Sequence, residues 1–276
     1  MIDKFKLQLT AGVILIGITI MACKKTEQIT NKNQTISPDI LTSIGQLGFN
    51  TDNVIMRKEG YLVEGDILLT DDNLKQKSQS PNLRIAECEQ YRTINMVRAP
   101  RVINVAVFNN LPGIFFQAAD SAIARYNALH LSIRFQRVAT EGDINIIGFD
   151  EAPDATGYIT LGYSGFPTNM GTPYSLIQVN INEHAYGPNT NIQYLTTVLT
   201  HEMGHCIGFR HTDYMNRAYS CNGPRINEGQ SNIGSIRIPG TPSKPDADSW
   251  MLACSNGGNR AFNRNDIVAL KYLYIR

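Results

Sequence analysis

The stretch HEMGHCIGFRH, residues 201–211, decides how the rest of the sequence is interpreted. His201 and His205 are four residues apart, so on a helix their imidazoles project from one face and can reach a single ion. Gly208 allows the helix to end in a left-handed or open turn, after which His211 can approach as a third ligand. Three protein ligands leave one coordination position open, which is typical of a catalytic zinc site rather than a structural one.

Glu202 stands beside the first predicted ligand, where it can act on a water molecule rather than on the metal. An isolated HExxH pattern also occurs on solvated helix faces, but here three of the five histidines of the chain fall within eleven residues. The zinc interpretation is therefore favoured. His130 and His184 match no motif, and we expect them to be surface or hydrogen-bonded histidines.

The composition is that of an ordinary globular protein. The chain has 276 residues, a net charge of +1 and 42% hydrophobic residues, enough for one catalytic domain and an appendage. The balanced charge gives no reason to expect a nucleic-acid partner. We expect a monomer that acts on protein or peptide substrates.

Residues 1–22 have the pattern of an export signal. Lys4 and Lys6 precede an uncharged run from Leu7 to Ala22 that is short for a membrane span. The run ends at Cys23, and its last residues resemble the lipobox of bacterial lipoproteins, in which the cysteine is lipidated. The alternative is a plain signal peptide with an incidental cysteine. The lipoprotein interpretation predicts a lipid anchor at the cell envelope or surface, with the outer membrane favoured and release after processing left open.

Export changes the interpretation of the remaining cysteines. An even number of them in an oxidising compartment favours disulfides, and four allow three pairings among which the sequence does not choose. The alternative is four buried thiols. These cysteines are Cys88, Cys206, Cys221 and Cys254.

Residues 23–95 are predicted to be a tether and a potential pro-segment, and 96–276 the catalytic domain. The tether is polar up to about residue 50, and an apolar stretch at 61–69 is too small to fold alone. A Gly-, Pro- and Asn-rich loop is predicted at 162–173. The catalytic region alternates strand and helix patterns, which indicates an α+β fold. Its predicted strands are 102–108, 131–138, 143–149 and 175–182, and a helix is predicted at 114–129.

The predicted active-site helix begins after Thr190 or Asn191, either of which can cap it. An apolar stripe at helical spacing should face the core; it comprises Ile192, Leu195, Leu199, Met203 and Cys206. Asn263 or Asn265 can cap a final helix.

The complete HExxHxxGxxH pattern resembles the metzincin clan of metallopeptidases over about residues 100–276. The resemblance implies a mixed, twisted sheet, an active-site helix, a C-terminal helix and a methionine turn beneath the zinc. Ser249-Trp250-Met251 fits that turn; Met203 and Met215 fit it less well, and the alternative for Met251 is an ordinary core residue. It also implies that the strand before the active-site helix, Ser175–Asn182, pairs with extended substrate at a sheet edge.

Three further stretches resemble the dual-action HEIGH metallopeptidase family of bacteria: His211–Tyr214, Gly240–Pro242 and Ser249–Cys254. The astacin branch of the clan departs from this chain at two positions. Where astacins have a glutamate and a zinc-side tyrosine, this chain has Thr212 and Ala253. Any tyrosine that assists the transition state must then come from elsewhere, and Tyr214 is one candidate.

Val63-Glu64-Gly65-Asp66-Ile67 resembles the pro-segment motif of astacins, in which an aspartate blocks the zinc. The resemblance implies that Asp66 keeps the enzyme latent, as a zymogen, until cleavage within 87–101. The alternative is an ordinary turn, since Glu-Gly-Asp is common turn chemistry. Cys88 could block the metal as a thiolate, but a disulfide is the better interpretation because no matching switch sequence surrounds it.

These patterns predict a secreted or surface zinc endopeptidase that hydrolyses peptide bonds with a zinc-activated water and Glu202 as the general base. The main alternative is a non-catalytic, zinc-holding domain that binds surface peptides or glycans. Glu202 argues against it, since a zinc holder needs no base there. A non-peptidase hydrolase is a third interpretation.

Overall fold

An eight-stranded sheet is the framework of the residues that the structure, a computed structural model, describes: 35–47, 49–75, 90–221, 227, 234–242 and 244–275. Strands and helices alternate along most of the chain. The strands are β1 (Ile55–Arg57), β2 (Gly60–Val63), β3 (Ile67–Leu69), β4 (Tyr91–Arg92), β5 (Arg101–Val107), β6 (Ile133–Val138), β7 (Ile144–Phe149), β8 (Gly162–Ser164), β9 (Leu176–Asn180) and β10 (Ile236–Arg237). The helices are α1 (Pro38–Gln46), α2 (Asp71–Lys75), α3 (Gly113–Asn127), α4 (Ile192–Cys206), α5 (Ala218–Cys221) and α6 (Arg264–Tyr274).

The sheet is mixed, as the sequence predicts, with the strand order β1-β2-β3-β8-β9-β7-β5-β6. Strands β6, β5, β7 and β9 run parallel to their neighbours, whereas β8 is antiparallel to β9. On the other side of β8, β3 pairs with it in parallel, and β3, β2 and β1 follow as antiparallel neighbours. Within the described residues, β4 and β10 form a separate two-stranded ribbon.

The core lies between this sheet and helices α3 and α4. The centre of β5 is fully buried at Ile103 and Val105, as expected for a strand covered by helices. Helix α3 contributes small buried residues, among them Ala118 and Ala122. Small side chains on a packing face allow two helices to approach closely, because little volume separates their backbones. Close packing of α3 therefore helps to fix the position of α4.

Helix α4 is buried on almost all sides, which the predicted single apolar stripe does not describe. Asn191 caps it by accepting hydrogen bonds from the N–H groups of Gln193 and Tyr194. From Leu195 to Cys206 every residue is buried. The reason is that α4 contacts α3 on one side and strands β8 and β9 on the other. A helix enclosed in this way can carry polar side chains only where they have partners.

Two predictions about the strands before α4 were wrong. Gly162–Ser164, predicted to begin a loop, forms β8. The region 175–182, predicted to lie at a sheet edge, contains β9, which pairs with both β7 and β8. The catalytic part of the sheet therefore runs from β8 to β6, and β3 covers the outer side of β8.

The segment from residue 35 to residue 75 packs on the rest of the molecule. Thr35–Arg276 forms one compact unit by its contacts. A hydrophobic cluster joins Ile44, Phe49 and Ile67 of this segment to Phe166 of the catalytic part. The apolar stretch predicted to be too small to fold alone thus obtains its core by sharing one.

The C-terminal helix α6 begins at Asn263, which forms a capping box with Asp266. At its other end the Tyr274 hydroxyl donates to the carbonyl of Ile207, the residue that follows α4. None of the helices in the described ranges combines the length and the apolar character that a bilayer crossing requires.

Candidate metal centre

His201 and His205 lie one turn apart on α4, and backbone carbonyls fix both rings. The Nδ1 atom of His201 is 2.9 Å from the carbonyl oxygen of Trp250, and that of His205 is 2.9 Å from the carbonyl oxygen of Phe209. A carbonyl oxygen can only accept a hydrogen bond, so each Nδ1 carries a proton. In the neutral imidazole, Nε2 then holds the free lone pair, which is the form that binds metals.

Gly208 turns the chain after α4 and brings His211 towards the two helical histidines. Its φ is +107°, and an added Cβ would lie 2.7 Å from Met96 Sδ and 3.0 Å from Thr93 Oγ1. Only glycine fits there. The turn places the Nε2 atom of His211 3.2 Å from that of His205.

Asp66 completes a cluster of four side chains at this point. Its Oδ2 atom is 3.0 Å from His211 Nε2 and 3.4 Å from His201 Nε2. One potential ligand atom from each of Asp66, His201, His205 and His211 lies within 4.8 Å of the others. The structure thus brings together all three predicted ligands and the predicted latch residue, from positions up to 145 residues apart.

The electrostatics of the cluster suit ligation. Burial raises the pKa of Asp66, but His211, His201 and His205 outweigh it and hold that pKa well below its usual range. Burial, together with His201 and His211, lowers the pKa of His205 well below its usual value. A carboxylate therefore faces imidazoles of which His205 is neutral, and these are the protonation states that a divalent cation needs.

The cluster also contains buried polar atoms without a hydrogen-bond partner. These are His201 Nε2 and Asp66 Oδ1. An unpartnered buried polar atom costs about 1–3 kcal/mol, which a bound cation would offset. Three imidazole nitrogens and a carboxylate oxygen are donors that fit Zn²⁺.

Glu202 lies beside the cluster and is held by a serine that the sequence analysis missed. The Ser164 hydroxyl donates to Glu202 Oε2 at 2.7 Å, and its oxygen lies 3.1 Å from the Glu202 carbonyl oxygen. Burial, and then the Asp66 carboxylate, raise the pKa of Glu202 well above its usual value. A carboxyl group with a raised pKa readily takes up a proton, as a general base must. Ser164 was missed because β8 was interpreted as a loop.

Met251, the residue predicted to form the methionine turn, is fully buried and packs against α4 at Gly204. An added Cβ on Gly204 of α4 would lie 2.6 Å from Met251 Sδ, so the turn touches the helix backbone. The carbonyl of Met251 accepts the N–H of Thr212, directly after the third histidine. Ser249, at the start of the turn, donates to the buried carboxylate of Asp266 at 3.0 Å. Thr212 is thus part of the support of the turn, in hydrogen-bond contact with Ser249 at 2.8 Å.

A cavity of about 350 Å³ opens beside the cluster. It is lined by His201 and Glu202, by Leu161 and Gly162 around β8, and by residues that follow Met251. The Tyr158 hydroxyl lies close to Gly65 at its rim. Burial of that hydroxyl and the nearby Asp66 carboxylate raise the pKa of Tyr158 to about 12. The cavity is large enough for a side chain of a bound peptide.

Tyr214, predicted as a candidate to assist the transition state, is turned away from this cavity. It is 1% exposed, and its ring lies 4.3 Å from that of Tyr91 and 5.6 Å from the Arg210 guanidinium. Tyr158 and Tyr194 are the described tyrosines that line the cavity. His184 is exposed and His130 lies away from the cluster, beside a separate pocket.

The structure chooses among the cysteine pairings for the residues that it describes. Cys221 is bonded to Cys254, which ties α5 to the chain after Met251. Cys206, at the end of α4, is a free and fully buried thiol, so its predicted membership of a disulfide is not realised. The export signal at 1–22, the predicted lipidation residue Cys23 and the whole interval 76–89, which includes Cys88, lie outside the described residues.

Comparison with known proteins gives one family and a group of solved structures. The model of the dual-action HEIGH metallo-peptidase family matches residues 61–274. Two solved structures of myroilysin are similar to this chain, at 16% and 15% identity and with TM-scores of 0.45 and 0.41. The alignments cover 67% and 66% of this chain, and 98% and 87% of those chains. No curated protein matches this sequence.

The contact between Gly204 and Met251 can be tested by Gly204→Ala. The added methyl group would press on the fully buried methionine, and we expect a loss of about 1–3 kcal/mol in the free energy of unfolding. Urea titration measures this loss. Gly113→Ala, where no atom lies within 4 Å of the added carbon, is the matched control and should cost nothing. Equal stability of the two variants would show that Met251 does not constrain the helix.

Proposed function

Because the chain belongs to the dual-action HEIGH metallo-peptidase family, we propose that it is a zinc endopeptidase in which His201, His205 and His211 hold the metal. The observation that carries this proposal is that the Nε2 atoms of three imidazoles converge beside a buried glutamate. In two of these rings, a backbone carbonyl fixes the Nδ1 atom. A site that only stored zinc would have no use for that glutamate.

Bound Zn²⁺ would supply Lewis acidity that polarises the scissile carbonyl and lowers the pKa of water to about 7. Glu202 then takes the proton of the attacking water on a carboxylate oxygen and returns it to the departing amine. Ser164 holds Oε2 of Glu202 in one orientation, which keeps that oxygen near the cluster. Burial of Glu202 excludes bulk water that would compete for the proton.

Internal cleavage of a polypeptide, rather than removal of terminal residues, is supported by the path of the chain through the cleft. Asp66 lies at the histidines in the middle of a continuous chain, with β2 before it and β3 after it. The cleft therefore has room for a polypeptide that extends on both sides of the metal. The Ser164 N–H, which donates to the Asp66 carbonyl at 3.1 Å, is available to an extended substrate once this segment leaves.

Glu202→Gln should lower the peptidase activity by about 10²–10⁴-fold, because the amide cannot take up the proton. Casein cleavage and cleavage of a quenched fluorescent peptide measure the activity, and elemental analysis measures the bound zinc. Zinc content should stay at one ion per chain. Glu183→Gln, whose carboxylate is 84% exposed, is the matched control.

Two results would contradict the proposal. If Glu202→Gln cleaves peptide at the wild-type rate, Glu202 is not the general base. If the wild-type chain still cleaves peptide after complete chelation of zinc, the reaction does not depend on the metal. A chain that still binds zinc but cleaves no peptide after the N-terminal segment has been released would favour the alternative of a peptide- or glycan-binding domain.

We also propose that Asp66 keeps the chain latent. Its carboxylate faces two of the three histidines, and β3 covers the outer side of β8. Both the ligand position and the strand edge that a substrate would use are therefore taken by the same segment. Cleavage of the chain between the segment and the catalytic part, within 87–101, would release it.

The latch predicts that Asp66→Ala raises the activity of the full-length chain by about tenfold or more, since a buried charged contact is lost. Initial rates on the fluorescent peptide, taken before any self-cleavage appears on a gel, measure the change. Asp72→Ala is the matched control because the Asp72 carboxylate is 88% exposed, on the surface of the same segment. An Asp66→Ala chain no more active than the wild type would contradict the latch.

The proposed location is the bacterial cell envelope, with a lipid anchor on Cys23. The Cys221–Cys254 disulfide supports export, because such bonds persist in oxidising compartments. Cys23→Ser should move the chain from the membrane fraction to the soluble fraction, and mass spectrometry of the mature N-terminus should show loss of the lipid. An unchanged membrane fraction would exclude Cys23 as the anchor.

A further inference from the structure

Residues 90–93, which we call the strap, cross the turn at Gly208 just before the predicted catalytic domain. The carbonyl of Tyr91 accepts the N–H of Arg210 at 2.9 Å, and the N–H of Thr93 donates to the carbonyl of Gly208 at 2.8 Å. These are backbone contacts, so they hold the strap in place whatever side chains it carries. They fix where the first side chain of the strap, that of Gln90, enters the protein.

The fully buried amide of Gln90 contacts the two residues that support the turn at Met251. Its Nε2 atom donates to Ser249 Oγ at 2.9 Å and to Asp266 Oδ1 at 2.6 Å. An ionised carboxylate can only accept hydrogen bonds, so the NH₂ end of the amide must face Asp266. The two hydrogens of one amide group thus join the strap to the turn and to helix α6.

Two local features of Gln90 are unfavourable by themselves. Its backbone has a φ of +57°, which is uncommon for a residue with a side chain. Its Oε1 atom is buried and has no hydrogen-bond partner. A residue that keeps a strained backbone and an unpaired acceptor is held there by its surroundings, and such residues often have a role at a functional site. For Gln90 the contacts that remain to explain its position are those of the donor end.

The donor end of this amide is connected to His201 through one peptide unit on each side of Trp250. The backbone N–H of Trp250 donates to Asp266 Oδ2 at 3.4 Å. The carbonyl of Trp250 accepts from Nδ1 of His201 at 2.9 Å. Ser249, the other partner of Gln90, directly precedes Trp250 in the chain. A shift of the Ser249 and Asp266 side chains would therefore move the carbonyl that orients the His201 ring.

We propose that Gln90 is a positioning residue of the metal centre. Its amide holds Ser249 and Asp266. These two residues keep the Trp250 carbonyl against His201, so that Nε2 of that ring stays free for the metal. The effect on metal binding rests on the proposed function, whereas the contact between the strap and the turn at Met251 does not.

Gln90→Met in the full-length chain removes both donors and keeps the length of the side chain. We expect the dissociation constant for Zn²⁺, measured by competition with a chelator, to rise about tenfold. The titration is made at pH 8, above the pKa of Asp266, which burial raises to about 7. Gln90→Gly is the second variant, because glycine suits the positive φ and removes the amide without strain. Ile103→Val, at a fully buried residue of β5, lowers stability away from the turn and should leave zinc affinity unchanged.

A spectroscopic measurement separates positioning from a general loosening of the fold. The chain has five histidines, so labelling them with ¹⁵N gives few signals, and NMR distinguishes a protonated Nδ1 from a free one. In Gln90→Met the Nδ1 proton of His201 should exchange with water about tenfold faster. The Nδ1 proton of His205, which is held by the Phe209 carbonyl, should exchange as in the wild type. An equal change at both histidines, or no change at either, would overturn the positioning role.

Hydrogen exchange of backbone amides in the metal-free chain tests the contact without zinc. The N–H of Trp250 donates to Asp266, and that of Met251 donates to Ser249 Oγ at 3.2 Å. Both amides should exchange about tenfold faster in Gln90→Met, whereas the Thr93 amide should not change. Unchanged exchange at Trp250 and Met251 would overturn the proposal. A wild-type chain that binds no zinc would overturn the proposed function instead, and these two amides would then decide the contact alone.

Discussion

The site depends on two backbone carbonyls more than on any other feature. The carbonyl oxygens of Trp250 and Phe209 accept hydrogen bonds from the Nδ1 atoms of His201 and His205, and so decide which nitrogen of each ring faces the cluster. A fixed tautomer is what turns a histidine near a metal into a ligand. Trp250 belongs to the turn at Met251 and Phe209 to the turn at Gly208, so both turns are needed for the same reason. The Asp266 carboxylate, which accepts from Ser249, extends this support to the start of α6.

The N-terminal segment and the cleft are coupled through one short strand. Strand β8 donates its Ser164 N–H to the Asp66 carbonyl and holds Glu202 with the hydroxyl of the same residue. The segment that carries Asp66 is therefore bound to the residue that holds the Glu202 carboxyl group. The hydrophobic cluster around Phe49 and Phe166 and the pair of Glu64 with Arg217 add contacts far from the histidines. The contact between the segment and the catalytic part thus involves the whole segment and not only Asp66.

Much of the site could be predicted from the sequence, because its ligands are close together along the chain. The spacing of His201, His205 and His211, together with Gly208, restricts the local geometry to a helix and a turn. The family that the C-terminal motifs indicated, the mixed sheet and the final helix are confirmed. The interpretation of Val63–Ile67 came from resemblance, and no spacing rule would have linked it to residues more than 130 positions away.

The features that were missed depend on pairing across the chain. Gly162–Ser164 has too few residues and too much flanking glycine and proline for a strand pattern, so β8 exists because β9 and β3 provide its hydrogen-bond partners. The prediction that 175–182 lies at a sheet edge was wrong for the same reason, because the strand that covers this edge is β8. Ser164 with Glu202 and Glu64 with Arg217 are separated by 38 and 153 residues, and neither pair leaves a periodic trace in the sequence.

The pairing of β3 with β8 has a consequence for the colloidal behaviour of the protein. An unpaired strand edge invites pairing with other chains, and proteins limit this risk by keeping such strands short. Strand β8 has only three residues, and a glycine begins it. Departure of β3 would expose an edge of β8 that is long enough to bind one extended peptide. The same edge is too short to support the pairing of many copies of the chain. The short length of β8 prevented its prediction from the sequence, and it would also limit aggregation of the protein after β3 has left.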